Sequence, residues 1–159
     1  MLQSNCCGGI ILGPRKDQLV TEACAATFSP SELAAILPPK TAAKKKGRDG
    51  LKARAAAYLS AGHRENPQAG CPFAALGSEL ASADDETRAT LTAGLRQGIE
   101  LFAEYFDNVR PDEARRRAIV VASLMSGALT LAWVVDDPKL SDAILRNATE
   151  AVCRLYDQE

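Results

Sequence analysis

Only one histidine, His63, occurs in 159 residues, and no Cys-x-x-C pair accompanies it. Zinc needs three or four converging ligands. His63 and Cys71 would have to recruit two more from distant segments, such as Glu65 or Cys153, so no metal site is expected. The same scarcity leaves general acid–base chemistry without its commonest base. Cys71 falls at an expected helix start, where a thiol pKa is lowered. Neither an oxyanion motif nor a glycine-rich phosphate loop goes with it. A small cysteine-dependent enzyme is therefore the weakest reading, with no catalytic residue and no cofactor assigned.

Other shortages narrow the choice further. The five cysteines (Cys6, Cys7, Cys24, Cys71, Cys153) are odd in number and irregular in spacing. That suits reduced thiols in a cytoplasmic protein. Aromatic residues make up 5%, so aliphatic side chains and alanine must do the packing. A net charge of -1 advertises no overall nucleic-acid surface. The opening "MLQSNCCGGIILGPRK" lacks a basic n-region, and its apolar run is too short for a secretory signal. Strand signals are missing too: no two-residue alternation is sustained, and Asp49-Gly50 has no flanking strands.

What the chain does contain is helical periodicity. Residues 1–15 read as an irregular remnant and 16–159 as one helical domain. Apolar positions from Lys16 to Phe28 follow helical spacing. "PPKTAAKKKGRDG" (38–50) reads as a basic linker loop. Lys44, Lys45, Lys46, Arg48, Lys52 and Arg54 form a local cluster, solvated or, on the sharper reading, touching phosphate. "LKARAAAYLSAGH" (51–63) is an alanine-rich helix ending near Gly62, and a short helix spans Cys71 to Ala81 with Pro72 in its first turn. His63 then sits at a helix C-terminus, where a cation meets the negative dipole end.

A third helix follows, with Ser82 expected as N-cap and Asp85 at the capping-box position. Leu91, Leu95, Ile99, Phe102 and Phe106 share one face. Gly94 and Gly98, one turn apart, would allow close approach of a backbone or a ligand. The next helix runs from about Asp112 to Val135, and the last from Pro138, capped by Asp137, to about Tyr156. The chain is expected to be all-α, with five or six helices.

Ala118 to Val135, "AIVVASLMSGALTLAWVV", is 18 residues without a charge, which reaches the membrane-spanning threshold. Ser123, Ser126, Gly127 and Thr130 dilute it, and no second such span exists. Burial on two sides, against its own domain and against a partner chain, is the better reading, with no membrane partner. Tyr58, Phe73, Leu76, Leu95, Ile99, Phe102, Met125 and Trp133 come from four helices. They either enclose a small-molecule cavity or form plain core. Tyr58 and Trp133 are the better pocket candidates, since each has a polar atom to place.

"YLSAGHRENPQAGCPFAALGSELA", a long helix, and "RRRAIVVASLMSGALTLAWVVDDPKLSDAILRNATEAV" together resemble the C-terminal regulatory domain of TetR/AcrR-family transcriptional regulators, over roughly 16–156. The resemblance implies a helical bundle whose last two long helices form an intersubunit four-helix bundle, and a cavity for a small apolar inducer. It implies interface positions at Ser123, Gly127, Thr130, Ile144, Asn147, Ala148 and Ala151. It places Lys16 near a DNA phosphate, just after the recognition helix. Fifteen residues precede Lys16, too few for the family's three-helix head, since a helix-turn-helix needs two supported helices.

The expectation is an effector-sensing, homodimerising domain of a probable repressor, with DNA binding only where such a head is supplied. The alternative is a headless interaction protein that forms heterodimers with full-length relatives.

Overall fold

A computed structural model describes residues 46–66 and 71–157. Among them are six helical segments and no strand: α1 (Gly47–Tyr58), α2 (Ala61–Arg64), α3 (Pro72–Ala81), α4 (Asp85–Ala103), α5 (Pro111–Val134) and α6 (Pro138–Asp157). The helix expected over Lys16–Phe28, Lys16 itself and the remnant at 1–15 lie outside the described residues.

α5 is the hub, packing against α6, α4 and α3. Pro111 opens it, where a missing N–H costs nothing. Ala114, Ala118, Val121, Met125, Leu129 and Ala132 recur every three or four residues and are all buried. Burying one such large side chain stabilises by about 1.5–3 kcal/mol. The helix ends at Val134, with Val135 already extended, and Pro138 opens the next helix, where its missing N–H costs nothing. Asp137 Oδ1 accepts from the N–H of Lys139 at 2.8 Å and of Leu140 at 3.2 Å, capping α6 as its sequence suggests. α6 returns alongside α5, burying Ser141, Leu145, Ala148 and Val152.

The end of the expected basic linker, residues 47–50, is helical. Gly47 takes a φ of +67°, a left-handed conformation open to glycine, and its missing side chain leaves room for Tyr156 Oη and the Asp107 carboxylate. Helix therefore begins at residue 47. Arg48 grips Asp157 through two bonds of 2.7 and 2.9 Å, fastening α1 to the end of α6. Leu51, Arg54, Ala55 and Tyr58 share the buried face of α1. Arg54 thus belongs to the interior rather than to a solvated charge cluster.

The segment 51–63 is two helices, not one. α1 ends at Tyr58, and Ser60 caps α2 by accepting from the His63 N–H at 3.1 Å. Ser82 is not the cap of α4. It closes α3 through its N–H to the Glu79 carbonyl at 3.1 Å, so the chain needs Ala83 to turn. Asp84 then caps α4, its two oxygens accepting from the Thr87 N–H at 2.9 Å and the Thr87 hydroxyl at 3.1 Å.

Among the described residues α5 alone is long and apolar enough to cross a membrane. The same test is met by core helices of water-facing domains. Its inner face here is occupied by its own domain.

Candidate functional site

α1, α3, α4 and α5 enclose a cavity of about 80 Å³. α1 contributes Arg54 and Tyr58, and the start of α3 contributes Cys71 and Phe73. Gly94, Leu95, Gly98, Leu101 and Phe102 line it from α4, with Tyr105 from the turn that follows. Ala122, Met125 and Ser126 close it from α5. The hollow exists because α4 turns glycines toward it: a Cβ built on Gly98 would meet nothing within 4 Å. A second groove of about 230 Å³, between α3 and α4, shares Phe73 and Leu95 with the cavity wall.

The lining is mostly apolar, with its charged group on the α1 side. Arg54 is 8% exposed. Its Nε donates to Tyr105 Oη at 3.2 Å, and its guanidinium carbon stands 5.7 Å from the Tyr105 ring centre. Its Nη1 is buried with no hydrogen-bond partner among the described residues. One turn on, the buried Tyr58 hydroxyl lies beside the Cys71 thiol and the Ser126 hydroxyl without a hydrogen bond of good geometry. Burial, with Cys71 as the next cause, pushes the Tyr58 phenol far above its ordinary pKa, so it stays a neutral donor.

Of the eight residues expected to line a pocket, Tyr58, Phe73, Leu95, Phe102 and Met125 lie around this one. Leu76, Ile99 and Trp133 do not. Leu76 is 42% exposed on the outer side of α3, where its φ of -129° breaks the helix. Ile99 is buried away from the cavity. The Trp133 indole donates to the Arg64 carbonyl at 2.8 Å, pinning α2 to α5. Its polar atom is satisfied by backbone, which is what sequence alone could not decide. The residues missed were Arg54, Cys71, Leu101, Tyr105, Ala122 and Ser126, while Gly94 and Gly98 had been expected only as a place of close approach. For Arg54 the signal was its helical spacing with Leu51 and Tyr58, hidden by the lysines and arginines around it.

His63 is anchored through one ring nitrogen, while its Nε2 is buried with no partner among the described residues. Its Nδ1 donates to the Tyr58 carbonyl at 2.7 Å, and its ring meets the Tyr58 ring edge-on at 4.8 Å. It caps the end of α1, and a carbonyl partner requires the proton on Nδ1. Cys71 stands at the N-cap position of α3, half-buried beside Tyr58. Among the described residues no cluster of His, Cys, Asp or Glu could hold a metal.

The interface candidates divide. Ser123, Gly127 and Asn147 are exposed, and Ile144 and Ala151 are half-buried. Ala148 is in the protomer's own core at 6% exposure. Thr130 faces α3, its hydroxyl donating to the Ala74 carbonyl at 2.8 Å. Both therefore stand on inward sides of their helices. The outward stripe of α5 reads Val120, Ser123, Gly127, Leu131 and Val134, with Leu131 55% and Val134 75% exposed. On α6 it continues through Leu140, Ile144, Asn147 and Ala151.

Residues 48–150 match the family model described as the C-terminal domain of LmrA/YxaF-like transcriptional regulators. A comparison with curated proteins gives no significant match. The chain belongs to the TetR family of regulators, a family of non-enzymes, and the matched span is its C-terminal helical domain.

Proposed function

From this membership we propose that the domain senses an effector and holds a transcriptional repressor together as a cytoplasmic homodimer, through α5 and α6. The observation that carries this reading is the outward stripe. A helix with apolar residues on its solvent side leaves a patch that monomers rarely tolerate. Small residues at its middle, Ser123 and Gly127, permit close helix crossing, and a Cβ built on Gly127 would meet nothing within 4 Å.

One helix also links the two tasks. Ala122, Met125 and Ser126 face the cavity, while Ser123 and Gly127, their immediate neighbours, face outward. A ligand that shifts α5 by a small amount re-aims the partner subunit. It biases the dimer toward whichever arrangement it binds better.

Light scattering on the full chain tests the assembly. The expected mass is twice the 16.9 kDa of one chain. A stable monomer at micromolar concentration would count decisively against the α5–α6 interface.

A further inference from the structure

We infer that the cavity takes a small apolar anion, a carboxylate in the first instance, with its charged end on Arg54 and its body against α4. This rests on reading the cavity as an effector site.

The two buried arginines make the case by contrast. Arg117, 7% exposed, shows how this fold satisfies an interior guanidinium: Nε donates to Glu113 Oε1 at 2.9 Å and Nη1 to the Leu155 carbonyl at 3.0 Å. Arg54 is buried as deeply, yet among the described residues it has no carboxylate and no carbonyl. It has one phenol oxygen at 3.2 Å, and its Nη1 has none. A guanidinium taken out of water without an anion is costly, and the cost falls when an anion arrives.

The second observation is independent of the charge. Tyr58 Oη, four residues on and on the same face of α1, is also buried, beside the Cys71 thiol and the Ser126 hydroxyl but without a hydrogen bond of good geometry. Arg54 and Tyr58 both line the cavity. A carboxylate accepts hydrogen bonds and brings the opposite charge to the guanidinium, where an alcohol accepts without charge and an ammonium repels. The remaining wall, from Leu95 to Phe102 on α4 and Met125 on α5, is apolar and suits a short alkyl or aryl body. The groove shared through Phe73 and Leu95 offers a direction for a longer one.

Calorimetric titration of the full chain decides the matter. Benzoate, hexanoate and octanoate are compared with benzyl alcohol, hexanol and octanol of matched shape. At least one carboxylate is expected to bind about 10- to 100-fold tighter than its alcohol, the usual worth of a charge-assisted bond. Arg54→Met should erase that preference, and Arg54→Lys should keep part of it.

Alcohols that match their carboxylates in the unmodified chain, or a preference that survives Arg54→Met, would overturn the anion and leave the effector cavity standing. Binding of neither series would overturn both. If Arg54→Met does not fold, the unmodified chain still decides, because the carboxylate–alcohol comparison needs no variant.

Discussion

Along α5, two stripes of similar side chains run side by side. The inner one, with Val121, Met125 and Leu129, is enclosed by α4, α6 and α3 and is essentially free of solvent. The outer one, with Val120, Leu131 and Val134, meets water in a single protomer. Nothing in residue type separates them. What separates them is that the fold has helices for only one side. The comparison shows why an apolar run without a polar face is ambiguous: membrane, core and partner chain all satisfy it.

The largest effect should come from the inner stripe. Leu129→Ala removes a side chain with 0% exposure and should cost about 2–5 kcal/mol of stability, read from urea denaturation. Leu131→Ala, measured at concentrations too low for association, should cost far less. Equal losses would erase the distinction between the two faces.

Leu131→Glu sharpens the contrast. It should leave a folded helical chain but shift the mass from twice to once 16.9 kDa in light scattering. An unchanged dimer would move the interface elsewhere.

Thr130 sits at the border between the faces. Thr130→Val loses the bond to the Ala74 carbonyl and should cost about 1 kcal/mol in thermal unfolding, with no change in assembly. Loss of the dimer would place Thr130 against the partner instead.

On the cavity side, Gly98→Ala should raise stability by about 0.5–1 kcal/mol, since alanine suits a helix interior and meets no neighbour. The same methyl group narrows the hollow, so any bound probe should weaken in calorimetry.

The smallest effect concerns a cap remote from both stripes. The Thr87 N–H holds the Asp84 carboxyl below its ordinary range. Because the folded pKa is lowered, the stabilisation is present above the unfolded pKa and lost as pH falls through the folded one. The gap in melting temperature between the unmodified chain and Asp84→Ala should therefore close in acid. A gap that persists there would mean Asp84 acts by packing.

Much of the helical layout was legible. Pro111, Pro138 and the Asp137 cap mark ends that local chemistry imposes wherever they occur. The pair Gly94 and Gly98 was readable as a place of close approach. That it opens a hollow rather than admitting another backbone depended on how α1 and α5 lie across α4. Ser82 was the expected cap of α4, and Asp84 took that place because α3 runs on to Ala81 and leaves Ser82 as its C-cap. Arg54 was lost in a run of positive charge because linear charge density says nothing about which side of a helix faces inward. Its spacing from Leu51 and Tyr58 did carry that information.

By itself, then, the sequence determined that the chain is helical and where most helices turn, because periodicity, proline and capping groups act over a few residues. It also determined which family the chain resembles. Tertiary structure alone decided which apolar stripe is core, that Trp133 spends its N–H on Arg64, and that Arg54, held by Tyr105 through Nε but with Nη1 unpaired among the described residues, stands with Tyr58 at one wall of a cavity. Those outcomes depend on groups brought together from 50 or more positions apart, as Arg54 and Tyr105 are, and no local signal records such meetings.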